Sequence, residues 1–406
     1  VVIGAGLAGL AASRVIQEAG RSVVVVEASD GVGGRVRTDE VDGYLLDRGF
    51  QVLLTAYPEL HTQVDLHALD LRRFDPGAVV WDGSSFAIVG DPLRQPSTLW
   101  SSLTAPIGSP VDKARILAQR LRLLRADPRR LLRGRDITTI AALRDDGFSE
   151  TIISRFFQPL VGGIQLDPSL RTSRRMFDVI LRSLITGDVA VPARGMGRLP
   201  AQLASRLQPG TIRLNTPAAA VSGGTVRLGD GRIIEADRIV VATEGPVASQ
   251  LLDLPPVESN PATCVWYGTD QPIVAGPLSR PAIVLDGTME GPALNIVPMS
   301  RVAPGYAPAD STLVAAACPG MYRPDVEPEV RRQLRSLFGP SVDRWRHLRT
   351  DTIAHGQPRQ YPPFSPKRRV DLGGGIFVCG DHRDTSSLQG AMYSGRRCGE
   401  AVVSSL

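Results

Sequence analysis

Val1-Val2-Ile3-Gly4-Ala5-Gly6-Leu7-Ala8-Gly9 opens the chain, and Ser22-Val23-Val24-Val25-Val26-Glu27 closes the unit it begins. Val1–Ile3 is a short β-branched run, the pattern of a strand buried on both faces. Leu7–Ala19 follows with apolar residues on one helical face and Arg14, Gln17 and Glu18 elsewhere, and Gly20 supplies the helix stop. The glycine spacing has a physical purpose. Gly4 permits a tight turn, Gly6 lets the backbone approach a pyrophosphate, and Gly9 lets the helix pack close to the strand. Ala5, Leu7 and Ala8 fill the positions between, where a helix N-terminus offers unpaired N–H groups and its positive dipole end to phosphates. Glu27 ends the second strand about twenty residues beyond the loop, where a carboxylate accepts hydrogen bonds from ribose hydroxyls. A Gly-rich turn alone is weak evidence. Placed between a strand and a helix, and followed by a strand ending in an acid, it reads as a dinucleotide site.

Two further segments decide between dinucleotides. Directly after Glu27 comes Ala28-Ser29-Asp30-Gly31-Val32-Gly33-Gly34-Arg35-Val36-Arg37-Thr38, and near the other end lies Ile376-Phe377-Val378-Cys379-Gly380-Asp381. The first resembles the G-G-R-x-x-[ST] motif, and the second the closing Gly-Asp strand, of the flavin amine oxidase, phytoene desaturase and protoporphyrinogen oxidase superfamily. Asp237–Thr243 is similar to a central strand of the same flavoproteins. The resemblance implies FAD as cofactor. Gly33 and Gly34 would allow close backbone approach, and Arg35, flanked by Val36, would meet the pyrophosphate charge. Asp381 would bind the ribityl–pyrophosphate end, and the backbone of Ala218 would pass near adenine. Gly31 stands where the family often has an Arg.

After Asp381 the chain reads His382-Arg383-Asp384-Thr385-Ser386-Ser387-Leu388-Gln389-Gly390-Ala391. The Ser-rich stretch looks like a capped helix start. In this superfamily that helix points its N-terminus at the flavin O2 edge, which the resemblance assigns here to Leu388, Gln389 and Ala391. Ser387 replaces the Tyr that forms one wall of the amine oxidase cage. No Lys lies between Lys113 and Lys367, so a lysine holding a water at the flavin has no counterpart, and no Cys stands between Cys318 and Cys379 for a covalent link. FAD is therefore expected to be noncovalent. Ser387–Arg396 is similar to the closing motif of carotenoid desaturases, the members closest in motifs. Asp47–Pro58 resembles another of their stretches and brings Gly49, Phe50 and Gln51 to the flavin, with Gln51 where they carry His. Phe157–Ile164 and Gly195–Pro200 are similar to protoporphyrinogen oxidases.

These readings imply an α/β fold: a Rossmann-type FAD-binding domain from residues 1–56, 191–255 and 369–406, interleaved with an α+β substrate domain. That second domain takes residues 57–190, with a helical subdomain, and 256–368, with a mixed sheet. Short apolar strands are expected at Ala282–Leu285, Ala293–Val297 and Leu313–Ala317. The expected function is an FAD-dependent dehydrogenase or desaturase removing hydride from an apolar small molecule, isoprenoid- or tetrapyrrole-like. The alternatives are an amine oxidase with an altered cage that releases peroxide, and a non-catalytic lipid-binding relative similar to the Rab GDP-dissociation inhibitors. The intact Gly4–Gly9 loop, Glu27 and Asp381 count against the last. Flavin dehydrogenation needs no triad; His382 and Arg383 are candidate catalytic residues only because they follow Asp381.

Composition adds limits. The formal charge is +5, carried almost wholly by arginine, and no basic run is interleaved with aromatics, so nucleic acid is not an expected partner. Cys264, Cys318, Cys379 and Cys398 are scattered without a CxxC pair, as are the five histidines; this suits a reducing cytosol and gives metal chemistry no support. The basic run Val111–Arg135 (Arg115, Arg120, Arg122, Arg125, Arg129, Arg130, Arg133, Arg135) has two readings: a solvated helix face, or a peripheral contact with anionic lipid.

Overall fold

The opening unit folds as the sequence predicts, with shorter strands. In the computed structural model, which describes residues 1–271, 273 and 276–406, β1 (Val2–Ile3) and β2 (Val25–Val26) flank α1 (Leu7–Glu18). The valine run before Glu27 is trimmed to two residues because its neighbour Ile212–Arg213 pairs with Val25 and Val26 alone. β1 pairs in parallel with β2 on one side and with Ile239–Val241 on the other. The full sheet runs Ile212–Arg213, β2, β1, Ile239–Val241, Ile376–Val378, Asp371–Gly373. Its strands thus come from three distant stretches of chain. The C-terminal helix Leu388–Ser404 packs on α1, close enough that a Cβ on Gly395 would lie 2.2 Å from the Ala8 carbonyl oxygen.

A second, seven-stranded sheet runs Arg346–Pro358, Ser259–Thr269, Thr312–Pro319, Asn295–Pro298, Ile283–Asp286, Gly77–Trp81, Phe86–Gly90. It is mixed, since Ile283–Asp286 pairs in parallel with Gly77–Trp81 and antiparallel with Asn295–Pro298. The three strands expected in this region are present, each displaced by one or two residues at an end. The strand Val189–Pro192 is clasped between Leu53–Leu54 and Leu71–Arg73. A buried carboxylate pins the layers there. Asp47 accepts hydrogen bonds from Thr38 Oγ1 (2.5 Å), the Met196 amide (2.9 Å) and the Tyr306 hydroxyl (2.9 Å).

The basic run is not one helix. Pro110–Arg125 ends at Ala126, and a separate turn begins at Pro128, which cannot supply the amide a continuing helix needs. Ser109 and Asp112 close a capping box at the start. The inward residues of this helix are Asp112, Gln119 and Leu123, so its face selection is not the one apolar content alone would choose. Among the described residues no helix is long and apolar enough to cross a membrane.

Candidate functional site

The three glycines of the opening loop take different places. Gly4 has φ +104°, and a Cβ there would sit 2.9 Å from the Ala242 carbonyl oxygen. A Cβ on Gly9 would lie 2.0 Å from the Gly4 carbonyl oxygen. Gly6 has nothing within 4 Å of its missing Cβ; its bare face opens into a cavity. Gly6 has no side chain to cap α1, so the first-turn N–H groups stay free beside Leu7 and Ala8, which both line that cavity. The Gly33-Gly34 pair lies directly against this loop. Gly6 and Gly33 form a β-bridge, and the Gly33 amide donates to the Ala5 carbonyl oxygen at 2.8 Å. Glu27 braces the loop from below: its carboxylate accepts from the Ala5 amide at 2.7 Å and from the Ser29 amide and hydroxyl at 2.9 and 2.8 Å.

Further along the cavity Arg35 meets Asp381 at 2.7 Å and donates to the Gly356 carbonyl oxygen at 2.6 Å. Gln51 Nε2 donates to the carbonyl oxygens of Arg35 and Arg48 at 2.7 and 2.9 Å, fixing the turn that carries Gly49 and Phe50. Gly380, at φ +148°, turns the closing strand toward the cavity. Ser387 caps the C-terminal helix by accepting from the Gly390 amide at 3.0 Å, leaving Leu388 and Ala391 on the wall.

All these groups line one elongated cavity of about 1070 Å³. Of the residues singled out in sequence, Gly4, Gly6, Leu7, Ala8, Glu27, Ala28, Gly33, Gly34, Arg35, Val36, Gly49, Phe50, Gln51, Ala218, Gly380, Asp381, Leu388 and Ala391 reach its wall. Five do not. Ala5 and Gly9 are packed beneath the loop. Gln389 turns away and accepts from the Glu59 amide at 2.8 Å. His382 and Arg383 follow Asp381 in a 3-10 turn that carries them behind the wall, which removes the adjacency that made them catalytic candidates. The Arg383 guanidinium instead donates to the Arg369 carbonyl oxygen.

His382 is buried with neither ring nitrogen hydrogen-bonded, and burial pushes its pKa down to about 4. The ordinary value in an unfolded chain is about 6.5. The native state therefore binds fewer protons between these values, and stability falls as pH drops from about 6.5 toward 4. His382→Phe is expected to remove roughly 2–3 kcal/mol of this acid sensitivity. Urea midpoints for both proteins at pH 7 and pH 4.5 check it; equal pH dependence would refute the neutral assignment.

The far half of the cavity was not legible as a site in sequence. Tyr57, Phe74, Phe156, Phe157, Leu160, Ile164, Met176, Ile180 and Leu184 line it, most of them from helices between residues 153 and 186. Tyr57 is buried, its phenol pushed up by desolvation, and it lies beside Ser387, the residue that caps the C-terminal helix. The available signal was the Asp47–Pro58 stretch, which contains Tyr57 but assigns it no place or role.

The donor set fits an FAD. A cradle at Gly6 that a Cβ would fill and a free helix N-terminus suit a pyrophosphate, the acid after β2 suits the adenosine ribose, and the Arg–Asp pair suits the ribityl–pyrophosphate end. Glu27→Ala is expected to cost about 1.5–3 kcal/mol of FAD affinity, through the lost ribose contact and the loosened Ala5 amide. Fluorescence titration of the apoprotein measures this, and an unchanged dissociation constant would contradict the assignment.

Comparison with known proteins agrees with this geometry. The model of the family described as flavin containing amine oxidoreductase matches residues 7–403. Coproporphyrinogen III oxidase of Propionibacterium freudenreichii subsp. freudenreichii is 26% identical over 429 residues, covering 88% of this chain and 78% of that protein. Phytoene dehydrogenase of Streptomyces griseus is 27% identical over 425 residues, covering 89% and 79%. Among solved structures, cyclohexylamine oxidase from Brevibacterium oxydans IH-35A shares the fold, with a TM-score of 0.73 at 17% identity over 100% of this chain and 98% of that one.

Proposed function

Because the chain belongs to the family of flavin containing amine oxidoreductases, and is an FAD-dependent oxidoreductase, we propose that it removes hydride from an apolar, isoprenoid-like substrate in the manner of a desaturase or dehydrogenase. The charge balance of the cavity wall carries this reading. Arg35 is matched by Asp381, Arg48 by Asp39, Arg94 by Asp188 and Arg120 by Asp91. Lys113 donates to the backbone carbonyl oxygens of Leu103 and Ala105. A porphyrinogen brings several carboxylates and would need cations that are free. An amine would need a carboxylate or an aromatic cage beside the flavin, where Ser387 and Leu388 stand instead. The inner chamber of Phe, Leu, Ile and Met side chains matches a hydrocarbon.

Bound FAD supplies the hydride acceptor. The amides of Leu7 and Ala8 would meet its pyrophosphate, the Glu27 carboxylate would accept from a ribose, and Asp381 with Arg35 would hold the ribityl end. The N-terminus of Leu388–Ser404 would offer its positive dipole end to the pyrimidine edge and favour negative charge there. Ser387 holds the helix start in register by accepting from the Gly390 amide. The apolar walls exclude water from the reacting carbon.

Anaerobic mixing with carotenoid precursors, porphyrinogens and amines tests the proposal. Bleaching of the flavin absorbance by a polyene precursor alone is the expected result. Bleaching by amines, with peroxide released on re-aeration, would overturn it, and bleaching by porphyrinogens alone would move the substrate class.

A further inference from the structure

Thirteen large apolar side chains are exposed among the described residues, and eight of them fall between Leu93 and Leu124. Leu93, Leu99, Trp100 and Leu103 lie on the loop and short helix Leu99–Thr104, which buries none of its residues. Val111, Leu117, Leu121 and Leu124 lie on Pro110–Arg125. The last three follow at i, i+4 and i+7, one continuous helical face. That helix is partly inverted relative to an ordinary surface helix: three of its four leucines face outward while Asp112 and Gln119 are buried beneath beside Leu123. Asp112 is tied down there by the amides and hydroxyls of Ser109 and Ser149 at 2.7–2.9 Å. The buried carboxylate therefore fixes which face points out. Trp100, at 76% exposure, is the most prominent of the eight.

The location of this surface matters as much as its composition. Leu93, Leu99, Leu103 and Leu117 are exposed and also line the cavity, so the apolar patch is continuous with the substrate chamber. Residues 111–135 carry nine basic side chains against two acids, Asp112 and Asp127. Four of the eight basic groups described have acidic partners, in Arg120–Asp91, Arg122–Asp178, Arg130–Asp127 and Arg135–Asp145; the side chain of Arg129 lies outside the described residues. Arg125 and Arg133 are exposed with no acidic partner among the described residues. A two-fold copy of the same face would bring like charges together. A sheet of anionic headgroups over a hydrocarbon interior complements both the arginines and the leucines.

We propose that Leu93–Leu124 is a docking surface for an anionic lipid bilayer, set so that the cavity mouth opens into the acyl region and receives its substrate from there. The leucines and Trp100 enter the interface while Arg125 and Arg133 meet headgroups. The purpose of the surface rests on the substrate being apolar; the binding itself does not.

The experiment uses the full FAD-loaded chain without substrate. Flotation with vesicles of phosphatidylglycerol and phosphatidylcholine is compared with phosphatidylcholine alone, and tryptophan emission is followed with brominated acyl chains. Binding to the anionic vesicles, weakened by salt, is expected, with quenching that Trp100→Ser largely removes. Leu121→Glu with Leu124→Glu, both on the surface and outside the cavity wall, is expected to weaken vesicle binding about tenfold or more. Detergent-solubilised substrate should still bleach the flavin of that variant at the ordinary rate, so a failure of docking and a failure of the substrate assignment register separately. The proposal is overturned if the anionic vesicles do not bind, if the leucine substitutions leave binding unchanged, or if they instead dissociate a dimer seen in light scattering.

Discussion

Gly9→Ala is expected to destabilise the protein by about 3 kcal/mol and to leave it colourless, whereas Gly6→Ala keeps the fold and loses only cofactor affinity. The difference follows from what each new methyl would meet. At Gly9 it lies 2.0 Å from the Gly4 carbonyl oxygen and 3.2 Å from Ala242 Cβ. Both neighbours directly follow strands of the central sheet and are hydrogen-bonded to it, Gly4 to Val26 and Ala242 to Ile3, so neither can yield without separating α1 from the sheet. At Gly6 the same methyl meets open space, and the local φ of −73° is ordinary for any residue. It would occupy the gap through which a pyrophosphate approaches, costing about 1–3 kcal/mol of binding. Urea midpoints of the apoproteins and the visible spectra of the purified variants separate the two effects. A Gly9→Ala protein as stable as the parent, or a Gly6→Ala protein that binds FAD normally, would overturn the division of roles.

The second large effect is expected at Glu59. Its carboxylate is almost fully buried and receives Arg396 through Nε and Nη2, at 3.0 and 2.6 Å, and Gln63 Nε2 at 2.7 Å. Its amide donates to Gln389. These bonds fasten the helix Pro58–Gln63 to the C-terminal helix along its first two turns, from Gln389 to Arg396. Glu59→Ala leaves Arg396 paired with Glu400 alone and removes one acceptor of the buried Gln63 amide, and is expected to cost about 2–3 kcal/mol. Glu59→Gln keeps the shape with a weaker bond and should cost clearly less. Thermal unfolding of the two variants, alone and combined with Arg396→Met, gives the coupling energy; a value near zero would make the pair a surface ornament.

Glu59 also marks where sequence reasoning stops. The cofactor half was legible because its signals are local: Gly4, Gly6 and Gly9 lie within six residues of one another and Gly33-Gly34-Arg35 follows close behind. Each spacing is dictated by one turn of backbone. The closing Gly380-Asp381 was recognised by its own strand and lands opposite Arg35, 346 positions away. Partners such as Asp47 and Tyr306, or Glu59 and Arg396, have no local pattern, because only the finished packing brings them together. The substrate chamber was illegible for the same reason: Phe156, Met176 and Ile180 look like any helical core. His382 and Arg383 were misplaced by adjacency, since one 3-10 turn is enough to carry a side chain behind a wall. The outward leucines of Pro110–Arg125 are masked in sequence by the arginines interleaved with them, although the helical period puts Asp112 and Gln119 on one face.

The central sheet has a consequence for how the protein is made. Its middle strands, β1, Ile239–Val241 and Ile376–Val378, are drawn from the start, middle and far end of the chain. Contact order is therefore high, and each closure spends loop entropy before the next strand can reward it. A nascent chain on the ribosome holds the Gly4–Gly9 loop long before the Gly380-Asp381 wall emerges. Flavin capture is thus gated by the emergence of Gly380-Asp381, and the half-built sheet must survive until then with its edges open.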